Sequence, residues 1–174
     1  LNKVHSLIFL LIINSNISFG QFTSGSIIPR VGKSILERNG EKIVLSKNKI
    51  KLLKDDVIRT SDNGKIEIIL FGGDKIYITQ NSEIRYSEII EPKGLAKILN
   101  RSIQLKGRLL SKVQKNPTRK FTVRTVNAII AVKGTEYIVE YLKETTRVGT
   151  IKGVVSMSSI QNKKSIDIDS GKMS

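Results

Sequence analysis

Apolar residues recur at every second position through most of this chain, and turn residues cut the alternation into short pieces. Ile66, Ile68 and Leu70 share one side of a stretch, Ile76 and Ile78 of the next, and Ile84 and Tyr86 of a third. Gly72-Gly73-Asp74 and Gln80-Asn81-Ser82 stand between them. A period of two sends successive side chains to opposite faces, which is the geometry of a strand with one buried side. Asn39-Gly40 separates "SILER" from "EKIVLS", a hairpin signal because both residue types tolerate positive φ. Asp62-Asn63-Gly64 separates "DVIRT" from "KIEIIL".

The second half keeps the same grammar. Lys106-Gly107 interrupts "SIQLKGRLLSKV", and Asn116-Pro117 marks a loop before "KFTVRTV". Val126, Ala128, Ile130 and Val132 alternate up to Gly134, and Tyr137, Val139 and Tyr141 alternate after Thr135. Lys152-Gly153 separates "RVGTI" from "VVSMSSI" as a hairpin or as a bend between strands. Short strands with turns every 8–12 residues or so predict an all-β fold, whether sandwich, roll or solenoid. One stretch allows a helical turn instead: in "PKGLAKILNRSI" (92–103), Leu95, Ile98 and Leu99 have i, i+3, i+4 spacing.

The first twenty residues differ from the rest. Lys3 supplies a small positive charge, and Leu7 to Ile13 is an unbroken apolar run. Ser18 and Gly20 place small residues at −3 and −1 of a cut before Gln21. This is the plan of a secretory signal peptide, and the run falls short of the roughly 20 residues that span a bilayer. The expected organisation is a signal peptide at 1–20, a short link at 21–26 and one β domain over 27–174. Export to the periplasm or beyond the cell follows. With no cysteine in the chain, a lipid-modified cysteine after the cut is excluded.

Cleavage there removes Lys3 and lowers the formal net charge by one, from +15 to +14. It also removes His5, the single histidine. A mature chain without Cys or His has no histidine acid–base chemistry, no Ser-His triad and no ordinary zinc site. No cofactor and no metal is expected. The basic balance fits an anionic partner such as lipid headgroups, wall polymers or acidic proteins. The preferred reading is plainer: a composition rich in Ile, Lys and Asn throughout, with scattered lysines. An exported chain is not expected to meet nucleic acid.

Two motifs imitate catalysis. Ser46-Lys47-Asn48-Lys49 matches S-x-x-K, and Ser61-Asp62-Asn63 matches S-D-N, as in serine β-lactamases. That chemistry needs a helix start at the serine and a K-T-G strand. Here the surroundings are strand and turn, and Lys133-Gly134-Thr135 has the wrong order. Asp55, Asp56, Asp62 and Asp74 could be imagined as a calcium or glycosidase set, but all four sit at turn positions, where Asp bonds nearby backbone. A hydrolase using carboxylate or lysine alone is the enzymatic alternative, and no catalytic residue is assigned. Basic residues gather at Lys106, Arg108, Lys112, Lys115, Arg119 and Lys120, a possible anion- or partner-binding face if the strands there adjoin. The other reading is a solvated face with lysines guarding strand edges.

"LKDDVIRTSDNGKIEIILFGGDKIYITQNSEIRY", "IQLKGRLLSKV", "FTVRTVNAIIAVKGTEYIVEY", "TIKGVVSM" and "IDIDSG" together resemble the FecR domain, the extracytoplasmic module of ferric dicitrate sensor proteins. The resemblance covers roughly 27–171. It implies that Gly134 and Thr135 form an architectural signature, a corner between strands. Val126 stands where the family usually has proline. Sensor members carry an anti-sigma segment and a membrane span before this domain and a further domain after it. A signal peptide leading straight into the domain does not carry that role over. The expected function is therefore a non-enzymatic binding module, contacting an envelope protein or an anionic surface polymer. A soluble part of a split transmembrane signalling system is the alternative.

Overall fold

A computed structural model describes residues 23–174. The expected signal peptide lies outside the described residues. The strands are β1 (Thr23–Val31), β2 (Ser34–Arg38), β3 (Glu41–Leu45), β4 (Ile50–Leu53), β5 (Val57–Thr60), β6 (Lys65–Leu70), β7 (Lys75–Ile78) and β8 (Glu83–Lys93). They continue as β9 (Ala96–Lys112), β10 (Arg119–Arg124), β11 (Ala128–Val132), β12 (Glu136–Leu142), β13 (Thr145–Lys152), β14 (Val154–Ser159) and β15 (Ser165–Asp169). The fold is all-β, as the alternation predicts.

The fifteen strands join into one mixed sheet that divides into two wings at β9. In the first wing the order is β4-β1-β6-β7-β9-β12-β13. In the second it is β3-β2-β5-β8-β9-β10-β11-β14-β15. Only β9 belongs to both. Up to Lys106 it pairs with β8, and from Gly107 onward with β12. Every pairing is antiparallel except β9 with β10.

Gly107 makes the transfer possible. Its φ is +99°, and a Cβ there would lie 2.7 Å from Ser82 Cα. Only glycine combines that backbone angle with that approach. One continuous core gathers side chains from both wings: Ile27, Ile68, Leu109 and Val139 from the first, Leu36, Ile84, Ile103 and Val123 from the second. The two wings thus share one core within a single mixed sheet of many short strands that does not close.

Turns of identical appearance do two different jobs. Asn39-Gly40 closes the β2–β3 hairpin with both residues at positive φ. Asp62-Asn63-Gly64 closes no hairpin: it carries the chain from β5 in the second wing to β6 in the first. Lys152-Gly153 is likewise a bend between wings, because β13 pairs with β12 while β14 pairs with β11.

Three expectations need correcting. The stretch 92–103 is no helical turn but the tip of the long β8–β9 hairpin. Gly94 sits at positive φ, Pro92 lies opposite Lys97, and Leu95 is fully exposed. Strand pairing from Ile84–Leu105 runs on through Ile90–Leu99, and that cross-strand ladder overrides a short helical spacing. The expected link over 21–26 is strand from Thr23 onward, where Gly25 lies opposite both Leu52 and Leu70. Val126 does not continue the alternation of β11; it is exposed in the loop before it. At the other end, Ser174 exchanges backbone hydrogen bonds with Val148, so Gly171–Ser174 cover the outer edge of β13.

Candidate binding face

The six basic residues singled out in the sequence do not form one face. Lys106 and Lys120 project from the second wing, on β9 and β10. Arg108 and Lys112 lie past Gly107, on the outer side of the first wing. Arg108 is bound to Glu140 on β12. Lys115 lies in the loop after β9 and covers Gly134: a Cβ on Gly134 would meet Lys115 Cβ at 2.7 Å.

Arg119 leaves the set altogether. Its side chain is 13% exposed and turns inward, where Nη1 donates to Asp74 at 3.0 Å and to the Phe71 carbonyl at 3.1 Å. Asp74 is buried and also accepts from Arg101 at 3.0 Å and from the Gln114 amide at 2.8 Å. The turn position that sequence suggested for Asp74 is therefore the acceptor of a buried polar centre.

Asp56 plays a similar part at another corner. It accepts from Arg38 Nε and Nη2 at 2.8 and 2.7 Å and from the Leu53 amide at 2.8 Å. Each buried aspartate thus saturates guanidinium and backbone donors and fixes a crossing between strands. Burial, the largest single influence, pushes the Glu67 carboxyl upward, but the hydrogen bond and charge of Arg30 together with Tyr77 and Lys75 outweigh it, and the group ends below its usual range. Ser61, the serine of the S-D-N match, donates to the Lys33 carbonyl at 2.9 Å in the β5–β6 crossing. Among the described residues, no group of three or more His, Cys, Asp or Glu is placed to hold a metal.

Gly134 and Thr135 stand where the chain leaves β11 in the second wing for β12 in the first. Gly134 has φ +70°, and the buried Thr135 accepts the Val113 amide at its carbonyl at 2.8 Å. Their geometry is that of a corner.

A different cluster does assemble, on the outer face of the second wing. Gln104 on β9 lies opposite Arg85 on β8 and opposite Arg124 on β10. Lys106 is two residues along β9 and projects to the same side. The four side chains, with Val126 at the rim and Leu105 beneath, line a recess of about 240 Å³. Its one carboxylate, Glu83, is held by Arg59 at 2.7 Å, and Arg59 also takes Glu37 at 2.6 Å. The Arg59 hydrogen bond and charge hold the Glu37 carboxyl below its ordinary range. The recess therefore keeps a positive balance. Sequence reasoning missed Arg85 because nothing local ties "EIRYSEI" to "FTVRTV"; only the register of three strands does.

A model of the FecR protein family matches residues 56–156. The chain belongs to the FecR family. The match runs from the buried Asp56 into the first half of β14 and includes the β9 transfer and the Gly134 corner. Two crystal structures of a candidate anti-sigma factor from Parabacteroides distasonis ATCC 8503, at 2.50 and 1.65 Å resolution, share the fold. Their TM-scores are 0.55 and 0.56 at 17% identity, over 67% of this chain and 52% of theirs. The chain thus spans about half the length of those solved relatives. No curated protein matches significantly.

Proposed function

We propose that this FecR-family chain is a non-enzymatic, extracytoplasmic interaction module that works as a component of transmembrane signalling. The observation that carries the reading is the family match over 56–156. The solved protein of similar fold described as a candidate anti-sigma factor supports the signalling assignment. The apolar N-terminal run with small residues before Gln21 supports export to the periplasm or beyond.

Recognition is the chemistry that the side chains favour. The buried carboxylates Asp56 and Asp74 each accept from arginine and backbone donors and tie strands together, a structural use of the group. The outer faces and edges remain for contact with an envelope protein or an anionic surface polymer. Among the described residues, β3, β4 and β15 each pair on one side only. Such edges accept an added strand from a partner. No cofactor takes part.

Transcript profiling tests the signalling reading. Removing the protein from its native cell should change a discrete set of transcripts, restored when the full chain is resupplied. An unchanged profile under envelope stress and iron limitation contradicts the signalling role.

A further inference from the structure

The arginines of this protein divide into two groups. Arg30, Arg38, Arg59, Arg101, Arg108, Arg119 and Arg147 each lie within 4 Å of a carboxylate. Arg85 and Arg124 have no such partner among the described residues, and they flank the same glutamine, Gln104, one strand to either side. We propose that this recess is an oxyanion site that takes a phosphate group carried on an envelope polymer or on a lipid headgroup. The proposal rests on the interaction-module reading and names the ligand class that one of its faces would recognise.

The cost of the arrangement is the first argument. Two spacings between adjacent strands hold the Arg85 and Arg124 backbones about 10 Å apart, with Lys106 on the strand between them. Exposed like charges on neighbouring strands repel one another, more strongly at low salt than at high. Elsewhere on this chain arginine is neutralised by a neighbouring carboxylate. Here the nearby carboxylates, Glu83 beside the recess and Glu37 on the far side of Arg85, are both held by Arg59. Unbalanced charge concentrated in a concavity is what an anion would offset.

Geometry selects the class of anion. A carboxylate is flat, and one guanidinium fork satisfies it. The recess instead is lined by two forks, an ammonium and a neutral amide carried on three adjacent strands. A tetrahedral phosphate offers acceptor oxygens in several directions. The positions are set by strand pairing, so the donors are arranged before the ligand arrives.

Size selects how the phosphate is carried. About 240 Å³ falls below the range of roughly 300–1,000 Å³ of pockets that enclose whole small molecules. The recess therefore holds one head group while the remainder of the molecule lies along the outer face. Ser102, Thr122 and Asn100 continue that face beside Lys120, a polar track suited to a hydrated chain.

The test uses the full chain at about 0.15 M salt, where a loose charge attraction is screened. Probes are inorganic phosphate, poly(glycerol phosphate), phosphatidylglycerol vesicles against phosphatidylcholine vesicles, and polyglutamate. Arg85→Gln/Arg124→Gln removes both forks, and Lys51→Gln/Lys97→Gln removes the same charge from other exposed positions. The polymer or the anionic vesicle should bind about ten-fold tighter than polyglutamate, and the arginine pair should lose about ten-fold while the lysine pair loses less than about two-fold. The stronger of those two probes identifies the carrier. In the unaltered protein, phosphate should shift the Gln104 side-chain amide resonance, a readout that needs no variant.

Equal losses in the two double variants, polyglutamate binding as tightly as the phosphate probes, or no phosphate-bearing probe binding would each overturn the site. The last two point to a protein partner or to none at this face. None of these results alters the transcript response, so failure of the phosphate site and failure of the signalling reading remain distinct.

Discussion

Arg101 Nη1 donates to Asp74 Oδ2 at 3.0 Å, with both side chains almost fully buried between the two wings. Twenty-seven residues separate them in sequence. The pair joins the start of β7 to the middle of β9, and Arg119 at the start of β10 donates to the same oxygen at 3.0 Å. Around it, Tyr86 and Ser24 both donate to Glu88, whose carboxylate lies 3.7 Å from Arg101. Five strands therefore meet on one polar centre.

Removing the shared acceptor leaves Arg101 buried without its nearest counter-charge. Breaking a buried ion pair from one side costs about 3–5 kcal/mol. Asp74→Ala should lower the unfolding free energy by that amount in a denaturant titration. A loss below about 1 kcal/mol would mean that the centre does not hold the strands together.

The transfer of β9 between wings depends on Gly107. Its left-handed φ disfavours any other residue by about 1–3 kcal/mol, and a Cβ there would also crowd Ser82 at 2.4–2.7 Å. Gly40 has φ +83° with nothing within 4 Å of an added Cβ. Gly107→Ala should thus lower the thermal midpoint more than Gly40→Ala does. Equal shifts would show that the close approach to Ser82 carries no energy.

The Tyr137 hydroxyl is buried, and burial pushes its pKa well above the ordinary phenol value. A pKa raised in the folded state gives stability that is complete below the unfolded value and lost as pH rises past it. The window opens near pH 10, where an unfolded tyrosine ionises. Ser111 is the polar neighbour of the hydroxyl, but no hydrogen bond of ordinary geometry satisfies it among the described residues. Tyr137→Phe should therefore be within about 1 kcal/mol of the parent at pH 7 and should lose less stability above pH 10. A steeper alkaline loss in the variant would refute this. Tyr86 is shifted in the same direction, by burial first and by its bond to Glu88 second, so part of the alkaline loss should remain.

The β8–β9 hairpin changes character along its length. Ile103 is fully buried, whereas Leu95 at the tip is fully exposed. Ile103→Ala should cost about 2–5 kcal/mol, and Leu95→Ser no more than about 0.5 kcal/mol. A large effect at Leu95 in denaturant titration would mean that the tip is packed in solution.

The strands were legible because each needs only its own alternation: Ile66, Ile68 and Leu70 point inward whichever wing they join. The destinations of the turns were not. Asn39-Gly40 and Asp62-Asn63-Gly64 look alike as local signals, yet one pairs neighbouring strands and the other changes wing. That choice is made by partners distant in sequence. Arg119 illustrates the same limit at the level of sites. It stands in a basic run and reads as surface, but the acceptor that draws it inward lies 45 residues earlier. Arg85 and Arg124 meet only through the register of β8, β9 and β10, which no single stretch encodes. The Gly134-Thr135 corner was visible through the family resemblance, and the positive φ found at Gly134 is a demand that glycine meets by itself.

The central claim is that this chain acts by specific surface recognition, and capture from an envelope fraction measures it most directly. The full chain serves as bait, and binding of each captured species is titrated at low and at moderate salt. The account predicts a saturable partner whose binding persists at moderate salt, with an affinity that defined surface substitutions alter. Binding that never saturates and vanishes as the charges are screened would contradict it and reduce the basic surface to nonspecific attraction.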